Sequence, residues 1–328
     1  MWAGSYMLFV LLAGYGAFKS ARITPAEPEI PKIVETAASA KPSMQVHVFW
    51  ILFSAIGTTL LLAITSQITQ EVAAIPLLWV LPLSIYLLSF ILTYSGERWY
   101  NRKIFEGLII VASIGFLWAL VSVEANYIMR TSVFCFFLFV SLMICNGETY
   151  RLRPDPSRLT RFYLVTSIGG ALGGIFVTLI APIVFKGYWE LPISYGLVLA
   201  LALAVFVTRK STKQELRIRF IYSVMVSVTI LLVDALSLYG LLGGKASGDV
   251  YQARNFFGVV RVKVVYPNDP EWHGYNVSHG ITIHGLQFTT PGKRYLPTTY
   301  YARQSGIGLA MLNHPKYGHG MRIGIRCA

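Results

Sequence analysis

Five of the six histidines, His273, His279, His284, His314 and His319, follow residue 272. Imidazole is the commonest metal ligand among side chains, so a metal centre is the first chemistry to weigh. The spacing argues against one. His279 and His284 lie five apart in strand-like sequence, which would turn them to opposite faces. His314 and His319 flank a turn, and no HExxH pattern or acidic partner accompanies any of the five. No metal is expected.

Three other patterns could carry chemistry within apolar sequence. Asp234 sits deep in the run LLVDALSLY. A carboxylate there is costly and faces a partner or a cavity, which makes Asp234 the intramembrane polar candidate. The bland alternative is a protonated or hydrogen-bonded Asp near a helix bend. Glu148, beside Asn146, ends another apolar run just before an Arg-rich loop, where a surface ion pair is expected. Pro76 and Pro82 flank Trp79 in EVAAIPLLWVLPLSIYLL. Proline frees backbone carbonyls and bends a spanning helix, so a kink is expected, with a gating role as the sharper alternative.

The elements that must position these residues are long apolar runs. The chain is 55% hydrophobic and 13% charged, against about 25% charged in an ordinary soluble domain. Eight segments read as membrane helices: 2–18, 46–66, 72–94, 105–123, 131–147, 162–185, 189–208 and 220–242. Residues 23–45, rich in Pro, Ala and Glu, read as a flexible linker. No secretory signal is expected, because Met1 leads into apolar sequence without a basic start. In SIGGALGG, the pairs Gly169/Gly173 and Gly170/Gly174 have the spacing that lets two helix backbones touch. A phosphate-cradling loop, the alternative, needs a preceding strand and water. Cys135, Cys145 and Cys327 show no CxxC spacing and indicate neither a disulfide framework nor a thiolate site.

The net charge of +13 comes from Lys and Arg gathered in short loops. Four loops are basic: Lys19 to Lys41, Arg98 to Lys103, Arg151 to Arg161, and Arg209 to Arg219. The intervening loops hold only Arg130 and Lys186. The positive-inside rule places the basic loops in the cytoplasm. With eight spans, the C-terminal part then lies on the extracytoplasmic side of the cell membrane. The lipid bilayer is the partner this pattern implies, and nucleic acid is not expected.

Near residue 245 the sequence turns polar. Residues 249–290 read as β, with strands at Arg254 to Val265 and Val277 to Phe288 separated by turn material at Pro267–Pro270. Residues 298–312 suit a helix capped by Thr298 or Thr299, and Met321 to Ile325 suit a short buried strand.

Several of these stretches, in order, resemble the spermidine synthase (polyamine aminopropyltransferase) family, and in particular its membrane-fused members. Arg254-Asn255-Phe256-Phe257-Gly258-Val259-Val260-Arg261-Val262 resembles the opening of that family's N-terminal hairpin domain. His279-Gly280-Ile281-Thr282-Ile283-His284-Gly285-Leu286-Gln287 resembles the hairpin written L-x-L-D-G-x-x-Q, with His284 in place of Asp. Pro297-Thr298-Thr299-Tyr300-Tyr301, followed by Ser305 to Ala310, resembles the helix after it, with Tyr near the D-E-x-x-Y position. Arg322 to Ile325 resembles the opening strand of the nucleotide-binding sheet. AAIPLLWVLPLSIYLLSF and NGETYRLRPDPSRLTRFY are similar to the membrane part of the fused proteins.

The resemblance implies three parts: a multi-pass α-helical bundle over 1–244, a β-hairpin domain over 249–320, and over 321–328 the first strand of a truncated Rossmann-like α/β domain. It implies aminopropyl transfer from decarboxylated S-adenosylmethionine to a diamine. Gln287 would bind the nucleoside cofactor, while Tyr301 and His284 would face the polyamine or a related small molecule. The glycine loop and the proton-accepting Asp of the family have no counterpart before Ala328. The chain alone is therefore expected to be inactive, with no catalytic residue to assign and no cofactor of its own. Two alternatives remain, a transporter or permease acting through the bundle and a non-catalytic membrane scaffold.

Overall fold

The structure is a computed structural model that describes residues 15, 42–72, 76–122, 126–207, 223–224, 227–228, 231, 235, 249–255, 258–280 and 282–321. The chain divides into two compact units, Met1–Pro42 and Ser43–Ala328. In the first unit only Tyr15, helical and exposed, and Pro42 are described. Asp234 and the strand expected after Met321 lie outside the described residues.

The second unit is mostly helical. Its helices are α1 (Met44–Ser66), α2 (Val80–Ser95), α3 (Arg102–Val121), α4 (Tyr127–Arg151), α5 (Leu159–Ile175), the single turn α6 (Ala181–Val184) and α7 (Glu190–Val207). Among the described residues four stretches are long and apolar enough to cross a membrane: Met44–Gln70, Arg102–Val121, Tyr127–Arg151 and Pro156–Val184. At about 1.5 Å per residue each covers the roughly 30 Å of a hydrocarbon core. Helices α2 and α7 are apolar but contribute shorter windows. The described positions 223, 224, 227, 228, 231 and 235 of the eighth expected segment are helical.

Local sequence accounts for the helix starts. Asn101 and Asn126 cap α3 and α4, their side-chain oxygens accepting from Lys103 N and Ile128 N. The expected proline kink is not observed. Pro76 lies in a turn over 76–79 where Leu77 adopts a φ of 63°, and α2 begins only at Val80. Pro82 then falls in the first helical turn, where its missing N–H leaves no bond unmade.

The helices alternate in direction. Arg102 at the start of α3 meets Glu148 at the end of α4, and Tyr94 near the end of α2 meets Tyr150 at the end of α4 with ring centroids 5.3 Å apart. Between them α1 and α5 run parallel, in direct backbone contact. A Cβ on Gly169 would stand 2.5 Å from the Ile51 carbonyl oxygen, and one on Gly173 would stand 2.3 Å from that of Ala55. Small-residue packing is thus carried by the Gly169/Gly173 pair, while Gly174 faces open space. Between α3, α4 and α7, Phe116, Phe137 and Tyr195 form a buried aromatic cluster with Phe116 and Tyr195 stacked at 4.8 Å.

The polar part forms one antiparallel sheet in the order β1 (Asp249–Asn255), β2 (Gly258–Val265), β3 (Gly274–His279) and β4 (Thr282–Phe288). Each of the two expected strands is in fact a hairpin. Gly258, with φ 138°, stands at the first reversal and Gly280, with φ 57°, at the second. Glycine alone enters these regions without steric cost, and neither turn carries the Asn-Gly or Asp-Gly signal of a tight hairpin. The expected helix over 298–312 is also divided. A 3₁₀ turn covers Thr299–Tyr301, and α8 (Gly306–Leu312) follows. Its cap is Ser305, whose hydroxyl accepts from Gly308 N at 3.1 Å, rather than Thr298 or Thr299. The Thr298 hydroxyl instead donates to the Leu286 carbonyl and ties the segment to β4.

Candidate functional site

Strand β4 carries two of the four residues singled out in the sequence, His284 and Gln287, and the 3₁₀ turn after it carries a third, Tyr301. Val277 pairs with Gly285 and Ser278 with Ile283, which leaves His284 as the extra residue of a β-bulge. Its Nδ1 stands 2.9 Å from the Tyr300 hydroxyl. Tyr300 in turn packs on Tyr301 at 4.8 Å between ring centroids. The structure therefore joins His284 to Tyr301 through Tyr300, a residue the motif comparison passed over. Gln287 lies across from Tyr275 with its side chain exposed.

His279 and His284 do not point apart as one strand would require. The reversal at Gly280 brings their rings to 6.1 Å, near parallel. Among the described residues no group of three His, Cys, Asp or Glu is placed to hold a metal ion. The cluster is thus an aromatic and imidazole surface, suited to gripping an amine through hydrogen bonds and ring faces.

A second constellation lies where the sheet meets the bundle. Glu190 opens α7, where a carboxylate complements the helix dipole. Arg254 of β1 grips it with both ends of its fork, Nη2 to Oε1 at 2.7 Å and Nη1 to Oε2 at 2.8 Å. The side chains are 1% and 5% exposed, so the pair is withdrawn from water. Arg254 also donates to the Gly187 carbonyl and lies 4.8 Å over the Tyr188 ring. Tyr188 donates to Gln70 and accepts from Val259 N at 3.2 Å. Gln252 adds a bond from Nε2 to the Lys186 carbonyl at 2.9 Å. Gly258 and Gly280 permit this contact: a Cβ on Gly280 would stand 2.1 Å from the Gln70 carbonyl oxygen.

A cavity of about 120 Å³ opens beside this junction, with Ser66, Gln70, Thr178, Tyr188 and Arg254 in its wall. Two of its walls are π-helical, Gln67–Val72 at the end of α1 and Phe176–Ile180 after α5. Such turns are rare and occur frequently at functional sites. Sequence reasoning passed over Glu190, Arg254, Tyr188 and Gln70. One signal was available, an acidic residue at the head of an otherwise uncharged apolar run.

Glu148 is not on the surface. Its side chain is 2% exposed and pairs with Arg102, with Nε to Oε1 at 2.6 Å. Tyr100 donates to the same carboxylate at 2.9 Å. Burial, and then the adjacent carboxylate, push the Tyr100 phenol far above its ordinary range. Gly147 makes room for the tyrosine, since a Cβ there would stand 2.4 Å from its ring. The cluster closes the bundle at the end opposite the sheet.

Compared with known proteins, the chain matches no family model, no curated protein and no solved structure.

Proposed function

We propose that this chain is a membrane-embedded, spermidine-synthase-like protein whose sheet and following segment form the amine-facing cap of an aminopropyl-transfer site. The observation that carries the reading is the joining of His284, Tyr300 and Tyr301 at the β4 bulge, next to Gln287 on the same strand. In the parent reaction the diamine nitrogen bonds to the aminopropyl carbon of decarboxylated S-adenosylmethionine. The carbon–sulfur bond breaks, the sulfonium becomes a neutral thioether, and the nitrogen loses a proton. The residues here would hold the amine: two phenol rings offer their faces to a cation, and the imidazole offers a ring nitrogen. Gln287 has the amide needed to grip ribose hydroxyls. The positive-inside pattern supports an extracytoplasmic cap, because the basic loops at 98–103 and 151–161 lie at the end of the bundle away from the sheet.

Calorimetric titration of the purified full-length chain with putrescine and with decarboxylated S-adenosylmethionine tests this. Binding is expected for putrescine, and none for decarboxylated S-adenosylmethionine, whose glycine loop has no counterpart in this sequence. Tyr301→Phe and His284→Ala each weaken the diamine about fivefold, the value of one ordinary hydrogen bond. Gln287→Ala leaves putrescine binding unchanged. No binding of putrescine by a folded, monodisperse chain overturns the reading.

The junction cavity favours a second reading, a permease for a small polar solute, because two π-helical turns and Gln70 face one opening between bundle and sheet. Uptake into proteoliposomes that fails in Gln70→Leu, with diamine binding absent from the sheet, would select it.

A further inference from the structure

A larger cavity, of about 480 Å³, lies at the opposite end of the bundle, between the ends of α2 and α4 and the start of α5. Its wall combines Tyr94, Tyr150, Phe162 and Tyr163 with Arg153 and Asp155. Tyr94 and Tyr150 meet edge to face at 5.3 Å. The Arg153 guanidinium lies 3.8 Å over the Tyr150 ring. Stacking occupies the flat face of a guanidinium and leaves the N–H donors along its edge free to point sideways. Among the described residues Arg153 forms no ion pair. Arg151 and Arg161 are exposed nearby and raise the positive potential of the same loop.

The cavity also borders an exposed apolar face of α5. Tyr163 is half exposed, and below it α5 presents Leu164 and Ile168, both exposed and apolar. Tyrosines at the end of a spanning bundle belong to the headgroup level, and basic pockets between spanning helices are sites for anionic headgroups. We propose that this cavity binds an anionic phospholipid with a hydroxylated headgroup, of the phosphatidylglycerol type. The phosphate accepts from the edge of Arg153. A headgroup hydroxyl donates to the Asp155 carboxylate, whose negative charge repels the more highly charged free phosphate. The acyl chains leave past Tyr163 along the apolar face of α5. A quaternary ammonium, the other occupant an aromatic wall suggests, meets Arg153 already in place over Tyr150.

Native mass spectrometry of the full-length chain in micelles doped equally with phosphatidylglycerol and phosphatidylcholine tests the site. Retained phosphatidylglycerol is expected to exceed phosphatidylcholine about fivefold, the effect of roughly one basic residue at a membrane surface. Arg153→Ala brings the two to parity, Arg153→Lys keeps most of the preference, and Asp155→Asn reduces it. Should Arg153→Ala fail to fold, competition on the wild-type chain decides: soluble glycerophosphoglycerol displaces the lipid, and inorganic phosphate at equal concentration does not. Parity in the wild type, a preference for phosphatidylcholine, or equal displacement by inorganic phosphate would each overturn the proposal.

Discussion

Removing one member of the Glu190–Arg254 pair leaves the other charge stranded at a dry junction. Such a deletion costs about 3–5 kcal/mol, while replacing a buried pair with apolar groups of similar size is often neutral. Glu190→Gln and Arg254→Met should each lower the melting temperature and loosen the sheet from the bundle. The double variant Glu190→Leu/Arg254→Met should recover much of the loss. Thermal melts of the four proteins, together with protease accessibility of residues 289–298, check this. Equal, additive losses in the double variant would show that the two side chains act separately. At the other end, Tyr100 supplies a pH test. Its folded-state proton affinity is raised, first by burial and then by Glu148. The stability linked to the neutral phenol is therefore complete below the ordinary tyrosine range, near pH 10, and is lost as pH climbs above it. Melts from pH 8 to 11 should fall more steeply for the wild type than for Tyr100→Phe. Parallel profiles would mean that folding does not raise the proton affinity of the phenol.

Helix pairing is where sequence and structure agree most closely, because the signal is local. Gly169 and Gly173 are one turn apart, and that spacing alone demands a close neighbour. A Cβ on either would meet backbone oxygen within 2.5 Å, while one on Gly174 meets nothing within 4 Å. Gly173→Ala should therefore destabilise by about 1–3 kcal/mol through overpacking. Gly174→Ala should be neutral or stabilise by up to about 1 kcal/mol, the helix-propensity gain. A cost at Gly174 matching that at Gly173 would place the α1–α5 contact on the wrong stripe. The turns were harder to read. Two hairpins passed for two strands because their reversals rest on single glycines, and the face assigned to His284 inverted once Gly280 turned the chain. Pairings such as Arg102 with Glu148 or Arg254 with Glu190 were beyond local reading. Each joins residues far apart in sequence, and only the tertiary fold removes their water. The same limit explains why Tyr301, not Tyr300, stood out in the sequence, since the bulge that selects Tyr300 is a property of paired strands.

At the scale of the whole molecule, the sheet and the basic loops at 98–103 and 151–161 occupy opposite ends of one helical bundle. The contacts of Glu190, Tyr188 and Gln70 with the sheet fix one end, and the cluster of Arg102 with Glu148 fixes the other. Placing a single loop therefore places the sheet as well. If the loops rich in Arg face the cytoplasm, as the charge bias favours, the sheet lies outside. An adenosyl co-substrate would then have to be met on that side, and the enzyme reading and the sidedness constrain each other. Tyr295, 88% exposed in the segment after β4, offers a reporter. In a Cys327→Ser background, Tyr295→Cys should react with a membrane-impermeant maleimide in intact cells, and Arg153→Cys only after permeabilisation. Cys135 and Cys145 are buried and leave the background low. The reverse pattern would put the cap in the cytoplasm. It would also put the basic loops at 98–103 and 151–161 outside, against the positive-inside rule, and it would remove the main obstacle to an adenosyl-dependent reaction.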